Sequence, residues 1–153
     1  MNVFRISRSK YIEDLSGYGA KIYGGRWNRP GVPVLYTSQA RSLAMLELIV
    51  HFTSKEAFRR QYKFACLWID PKFIVDVEED IHSVDLRLPN NEHLWKITDK
   101  FFIDKKELCI KVPSVLIPNE FNYLINPIHP YFQNVKLQGL ENAIVDKRYF
   151  AVN

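Results

Sequence analysis

The chain has 153 residues, 47% hydrophobic and 25% charged, the balance of an ordinary soluble globular protein. A chain of this length suits one domain that buries about two thirds of its unfolded surface. The net charge of +4 comes from 21 basic and 17 acidic side chains. Basic pairs such as Arg59-Arg60, Lys105-Lys106 and Lys147-Arg148 are dispersed among acids rather than gathered on one stripe, which argues against direct nucleic-acid binding. Aromatic residues are numerous, with ten Phe, eight Tyr and three Trp, enough to fill a core and line a pocket that stacks a planar ligand. Cys66 and Cys109 lack metal-ligand spacing and are too few for a disulfide framework. The opening MNVFRISRSK holds no apolar signal core, and no apolar run approaches the ~20 residues needed to cross a bilayer. A cytoplasmic protein with no membrane partner is expected.

Residues 2–6 (NVFRI) read as a first strand, with Arg5 on the face opposite Phe4 and Ile6. Residues 8–20 are polar and turn-rich and read as irregular. From Ile22 to Pro33 the chain carries Gly-Gly, Arg-Pro-Gly and Val-Pro, all breaker signals. Five of the six glycines (Gly17, Gly19, Gly24, Gly25, Gly31) fall in the first half of the stretch from Gly17 to Glu47, where backbone without a Cβ can approach a ligand closely. A short strand at residues 34–36 follows, and then the clearest helix, Gln39 to Phe52, fourteen residues without Gly or Pro, with Thr37 or Ser38 as its cap. Its apolar positions wrap most of the circumference, which predicts a buried helix.

Glu47 sits in the middle of that run, between Leu46 and Leu48. A carboxylate taken out of water is unfavourable unless it is paired or protonated. Glu47 therefore forms a buried ion pair with Arg26, points to solvent from a helix edge, or stands at the dry wall of a cleft. The glycine-rich loop ending in Arg26, with Tyr36 ten residues on and Glu47 eleven further, favours the cleft.

Residues 54–61 read as an extension of the helical region, residues 62–69 as a strand ended by Asp70-Pro71, and residues 73–77 as another strand. Glu78-Glu79-Asp80 with His82 reads as a solvated loop rather than a metal site. From Asn91 to Lys106, Leu94, Ile97, Phe101 and Phe102 recur at roughly the helical period. Leu108 to Ile117 reads as a strand, with Ser114 on the face of Leu108, Ile110 and Val112. Ser114 is either a polar point on a pocket wall or a small residue bonding backbone. The segment EFNYLINPIHP, carrying Asn122, Asn126 and His129, reads as a structured loop whose amides bond backbone. Residues 131–138 and 143–150 read as closing strands. With no repeat or linker, residues 1–153 form a single α+β domain.

No G-x-x-x-x-G-K-[ST] phosphate loop, G-x-S-x-G elbow or strand-bounded G-x-G-x-x-G is present. What remains is Arg, Tyr, Glu and Ser near a glycine-rich loop. Arginine suits a phosphate bidentately, tyrosine stacks on a heterocycle, and a carboxylate supports an oxocarbenium-like centre as in glycoside cleavage. Such a set suits breaking an N-glycosidic bond of a dinucleotide. The alternative from another class is a non-catalytic binding module.

Gly24-Gly25-Arg26-Trp27-Asn28, Leu35-Tyr36-Thr37-Ser38, Leu46-Glu47, Val112-Pro113-Ser114 and Asn122-x-x-x-Asn126-Pro127-x-His129-Pro130 occur in this order. Together the sequence resembles the RES domain family, toxins of bacterial toxin–antitoxin pairs named for their Arg, Glu and Ser. The resemblance implies an ADP-ribosyltransferase-like α+β fold with a split, mostly antiparallel sheet around an NAD cleft. It also implies cleavage of the nicotinamide–ribose bond by hydrolysis or phosphorolysis, with ADP-ribosyl transfer to a protein as the alternative. Carried over by position, Arg26, Glu47 and Ser114 are the catalytic residues, and Tyr36 and Asn126 join them in binding NAD, which is substrate and not cofactor. The implied partner is an antitoxin with a helix-turn-helix DNA-binding part, and a homodimer is left open.

Overall fold

The structure is a computed structural model that describes residues 1–52, 61–82, 84–88, 91–104, 106–144 and 146. Among the described residues seven strands are formed: β1 (Asn2–Arg8), β2 (Leu35–Ser38), β3 (Tyr62–Trp68), β4 (Ile74–Asp76), β5 (Cys109–Pro113), β6 (Phe121–Ile125) and β7 (Lys136–Ala143). They make one open sheet in the order β4-β5-β6-β2-β1-β3-β7. Neighbours are antiparallel except for β4 and β5, which run parallel. Among the described residues the sheet is accompanied by the α-helices α1 (Tyr18–Tyr23), α2 (Arg41–Ile49) and α3 (Glu92–Asp99). The α+β class with a mostly antiparallel sheet is the expected one.

Alternation along the strands divides the core between the two faces of the sheet. Tyr36, Ile110, Val112 and Leu124 belong to one cluster, which takes in Trp27 and the α3 residues Leu94 and Ile97. Leu35, Cys109, Tyr123 and Ile125 belong to the other, with Val3, Ala65 and Leu67. The two halves of the sheet meet thinly. β1 and β2 are registered at a single pair, Phe4 opposite Ser38. Continued pairing would set Ile6 opposite Tyr36, but both residues instead line a cleft at this seam. In that sense the sheet is split, and the split makes room for a ligand.

The helix expected over Gln39–Phe52 is shorter, and its burial is one-sided. In α2 only Leu43 and Ala44 are buried, Leu46 to Ile49 are half-buried, and Val50 is exposed. The helix is apolar nearly all round because one side covers β1 while Leu48 and Val50, with Glu47, turn to the cleft. Arg41 lies over the Phe4 ring at 4.2 Å and pairs with Glu141, tying the helix to both β1 and β7. Neither Thr37 nor Ser38 caps α2. The N-cap is Ala40, in extended conformation with no side-chain cap, and both hydroxyls are drawn across to β6.

Other expectations change for local reasons. Residues 8–20 were expected to be irregular, yet α1 begins at Tyr18. Gly17, left-handed at φ 68°, and Gly24, with a positive φ of 70° and extended ψ, flank it, which is why the glycines resemble a loop in sequence. A Cβ at Gly17 would stand 2.8 Å from Val34 N and 2.9 Å from Val34 C, both backbone. Gly17→Ala is therefore expected to destabilise the fold by about 2–4 kcal/mol, combining a positive φ with overpacking. Urea unfolding should show a lower midpoint with an unchanged m-value.

The segment read as a loop around Asn122 is in fact an interior strand, β6, paired with both β2 and β5. Its Asn-Pro and His-Pro breakers act only after Ile125. The strand expected over residues 131–138 divides into a 3-10 turn (Pro130–Asn134) and the start of β7. The second closing strand, residues 143–150, falls largely outside the described residues, as does residues 54–60. The helix expected over Asn91–Lys106 is present as α3, where Asn91 Oδ1 accepts from His93 N at 3.0 Å, and it widens into a π turn over Lys100–Asp104. Glu78 to Ile81 form a 3-10 turn, and Asp80 is paired with Lys100. Among the described residues no helix is long and apolar enough to cross a membrane.

Candidate active site

The seam cleft has a volume of about 830 Å³, within the range of small-molecule sites. One wall is the loop from Gly24 to Asn28, and the way it is held explains its sequence. Gly25 N donates to Asn28 O at 2.8 Å, closing the turn. The Asn28 amide donates to the carbonyls of Ala20, Arg29 and Val32 at 2.9, 3.1 and 2.9 Å. Trp95 of α3 donates its indole N–H to Gly25 O at 3.0 Å, and Arg29 pairs with Asp99 at 2.8 Å. The loop is thus pinned on both flanks, with Arg26 presented to the cleft.

Tyr36 faces the cleft with its ring, while its hydroxyl is taken up within the protein. Its hydroxyl donates to Asn28 Oδ1 at 2.7 Å and accepts from Trp27 N at 3.2 Å. The phenol is occupied in holding the loop, and it is the ring that lines the cleft. Burial pushes the Tyr36 hydroxyl pKa well above its ordinary value of about 10, opposed in part by its backbone hydrogen bonds to Trp27 and Asn28. The neutral phenol is the form the fold stabilises. Stability from this group is complete below pH ~10 and is lost as pH rises beyond it, because only the unfolded chain ionises there. Tyr36→Phe is expected to cost about 1–3 kcal/mol near neutrality, since Trp27 N and Asn28 Oδ1 lose their partner. It should also make the decline above pH 10 shallower than in the wild type. The buried Cys109 thiol is raised likewise, but it is common to both proteins and cancels in the comparison. Chemical denaturation at several alkaline pH values measures both effects.

Arg26 and Glu47 line the same cleft without forming an ion pair. Arg26 Nη1 donates to Leu86 O at 2.6 Å. Glu47 Oε1 accepts from Asn122 Nδ2 at 2.8 Å and from Ser114 Oγ at 3.3 Å. Asn122 Oδ1 in turn accepts from Ser38 Oγ at 2.6 Å. Ser114 is buried behind Glu47, where its hydroxyl also accepts from Leu116 N and Ile117 N at 3.1 and 3.2 Å. Of its two sequence readings the backbone-bonding one is seen; the hydroxyl also donates to Glu47 Oε1, while the cleft wall at this point is formed by Pro113 and Val115. With both bonds on Oε1, Oε2 is the carboxylate oxygen left to accept from a ligand. A negative charge is thus held by neutral donors in a largely apolar cleft, opposite a guanidinium, an arrangement suited to a substrate that develops positive charge between anionic groups.

Asn126 stands elsewhere. Its Nδ2 donates to Phe102 O and Glu107 O at 3.4 and 3.3 Å, and its Oδ1 accepts from Ile128 N at 3.2 Å. It lies just past the end of β6, about 13 Å along the strand direction from Asn122, and it braces the turn into Pro127. Asn122 is the asparagine of the cleft. Sequence reasoning missed it, together with Ser38 and Trp95. The available signal was parity: Asn122 shares a face with Leu124, and a polar residue on a buried strand face needs a partner.

Comparison with known proteins identifies the family. The RES domain model matches residues 2–149. The chain is 36% identical to Toxin Res of Photorhabdus laumondii, covering 95% of this chain and 97% of that one. It is 32% identical to the Prs ADP-ribosylating toxin of a Sphingobium species, over 93% and 90% of the two chains. Its fold resembles a chain in the crystal structure of the M. tuberculosis MbcT–MbcA toxin–antitoxin complex, with a TM-score of 0.68 and 14% identity over 93% and 83% of the chains. The family motifs on the seam and a match along nearly the whole length lead to one conclusion: the chain belongs to the RES domain family.

Proposed function

We propose that this chain is the toxin of a toxin–antitoxin pair and consumes NAD by cleaving its nicotinamide–ribose bond. The observation that carries the reading is Glu47, a carboxylate on the wall of a cleft of about 830 Å³, oriented through one oxygen by Asn122 and Ser114. Breaking the C1′–N bond sends the bonding pair out with nicotinamide and leaves a ribosyl centre of oxocarbenium character, which a fixed carboxylate stabilises. Arg26, on the pinned loop, suits the pyrophosphate. Tyr36 supplies a ring to the wall and keeps that loop in place. The acceptor is water, giving ADP-ribose and a proton, or phosphate, giving its 1-phosphate ester.

A second reading, transfer of ADP-ribose to a protein, is favoured by the 32% identical relative whose name is an ADP-ribosylating toxin. The resemblance to a chain from a toxin–antitoxin complex supports a cognate antitoxin. The expected antitoxin is one carrying a helix-turn-helix part. NAD labelled in its adenylate half separates the acceptors. Label in ADP-ribose or its phosphate ester supports glycosidic cleavage with a small acceptor, and label on a protein band supports transfer. Intact NAD after incubation with folded protein and cell extract contradicts both.

A further inference from the structure

The polar end of the β2–β6 ladder carries an inference that rests on the NAD reading of this cleft. Ser38 and Asn122 are direct partners in the antiparallel register, so their side chains share a face at about 5 Å between Cβ atoms. Ser38, a residue 4% exposed, donates through its hydroxyl to Asn122 Oδ1 at 2.6 Å, and Asn122 Nδ2 donates to Glu47 Oε1 at 2.8 Å. A side-chain amide has one accepting end and one donating end. Turned over, Asn122 would set its oxygen against the carboxylate and its NH₂ against the Ser38 hydroxyl. Ser38 is also the one residue of β2 registered with β1, so its backbone is held from both sides.

We infer that Ser38 is a positioning residue for this cleft: the accept-only Glu47 carboxylate takes the NH₂ end of the Asn122 amide, and the Ser38 hydroxyl, donating to the amide oxygen, holds that amide in place against the carboxylate. Packing alone does not call for a hydroxyl here, because alanine would fit the same buried position. A relay assembled by strand register costs no reorganisation when substrate binds.

A double-variant cycle on the full chain tests the relay, with nicotinamide release from NAD as the readout. Ser38→Ala is expected to lower kcat about tenfold and leave KM within about twofold, as expected when one orienting hydrogen bond is lost without loss of substrate contact. Ser38→Thr, which keeps the hydroxyl, should restore most of the rate. In the Asn122→Ala background, adding Ser38→Ala should change kcat by less than about twofold, because the route through the amide is already cut. An equal fall in both backgrounds, or a Ser38→Ala protein with wild-type kcat, overturns the inference. A wild-type protein that releases no nicotinamide overturns the NAD reading instead. The relay is then read from the ¹³C resonance of the Glu47 carboxyl, which should move in Ser38→Ala but not when that change is added to Asn122→Ala. An unmoved resonance in Ser38→Ala overturns it.

Discussion

Glu47→Gln should remain folded and lose nicotinamide release from NAD by about 10³-fold, the scale on which removal of one preorganised electrostatic group slows an enzyme. The substitution is informative because it separates charge from shape. Glutamine retains a carbonyl oxygen that can still accept from Asn122 Nδ2 and Ser114 Oγ, so the hydrogen bonds that hold this point of α2 survive. What disappears is the negative charge facing the ribosyl centre. Thermal unfolding within a few degrees of the wild type, together with KM for NAD changed far less than kcat, is the expected pattern for an interaction made in the transition state. Glu47→Ala would confuse the two effects, since it also strands the Asn122 and Ser114 donors.

The second large effect is expected at Gly25. A Cβ there would lie 2.7 Å from Tyr36 Oη and 3.0 Å from Asn28 Oδ1. Neither atom is free to retreat. The phenol oxygen is held between Asn28 and Trp27 N, and the Asn28 amide is committed to three backbone carbonyls. Gly25→Ala must therefore displace the loop itself, breaking the closure between Gly25 N and Asn28 O and the Trp95 contact. A stability loss of about 1–3 kcal/mol is expected from overpacking. Misplacing Arg26 should also lower kcat/KM for NAD by about 10²-fold, because positioning errors near 1 Å cost on that order. Steady-state kinetics and urea denaturation on the same preparation check both expectations.

The site was partly legible in the sequence because its strongest signal is local. A charge between Leu46 and Leu48 in an otherwise apolar helix needs a special environment, and the cleft supplies it. Strand parity placed Ser114 on the face of Leu108, Ile110 and Val112; Ile110 and Val112 do lie on the face of the site, whereas Leu108, before the strand begins, packs in the other cluster. The rest depends on pairing, which is not local. Asn122 faces Glu47 only because β6 lies between β2 and β5, and the breakers around Asn126 concealed that strand. Asn126 then stood for the wrong place, one step past the strand end. Arg26 and Glu47, complementary in sequence, proved to be bound to Leu86 O and Asn122 instead. The Tyr36 hydroxyl proved to belong to the loop, because only the folded structure brings Trp27 N and Asn28 within its reach.

Cleavage of NAD in the seam cleft is the proposed activity on which the roles of Arg26 and Glu47 depend. Incubating the purified full chain with NAD, with and without inorganic phosphate, and following free nicotinamide tests it most directly. Release that grows with time and is abolished by Glu47→Gln is the predicted result. Folded wild-type protein that liberates no nicotinamide in either condition would contradict the account.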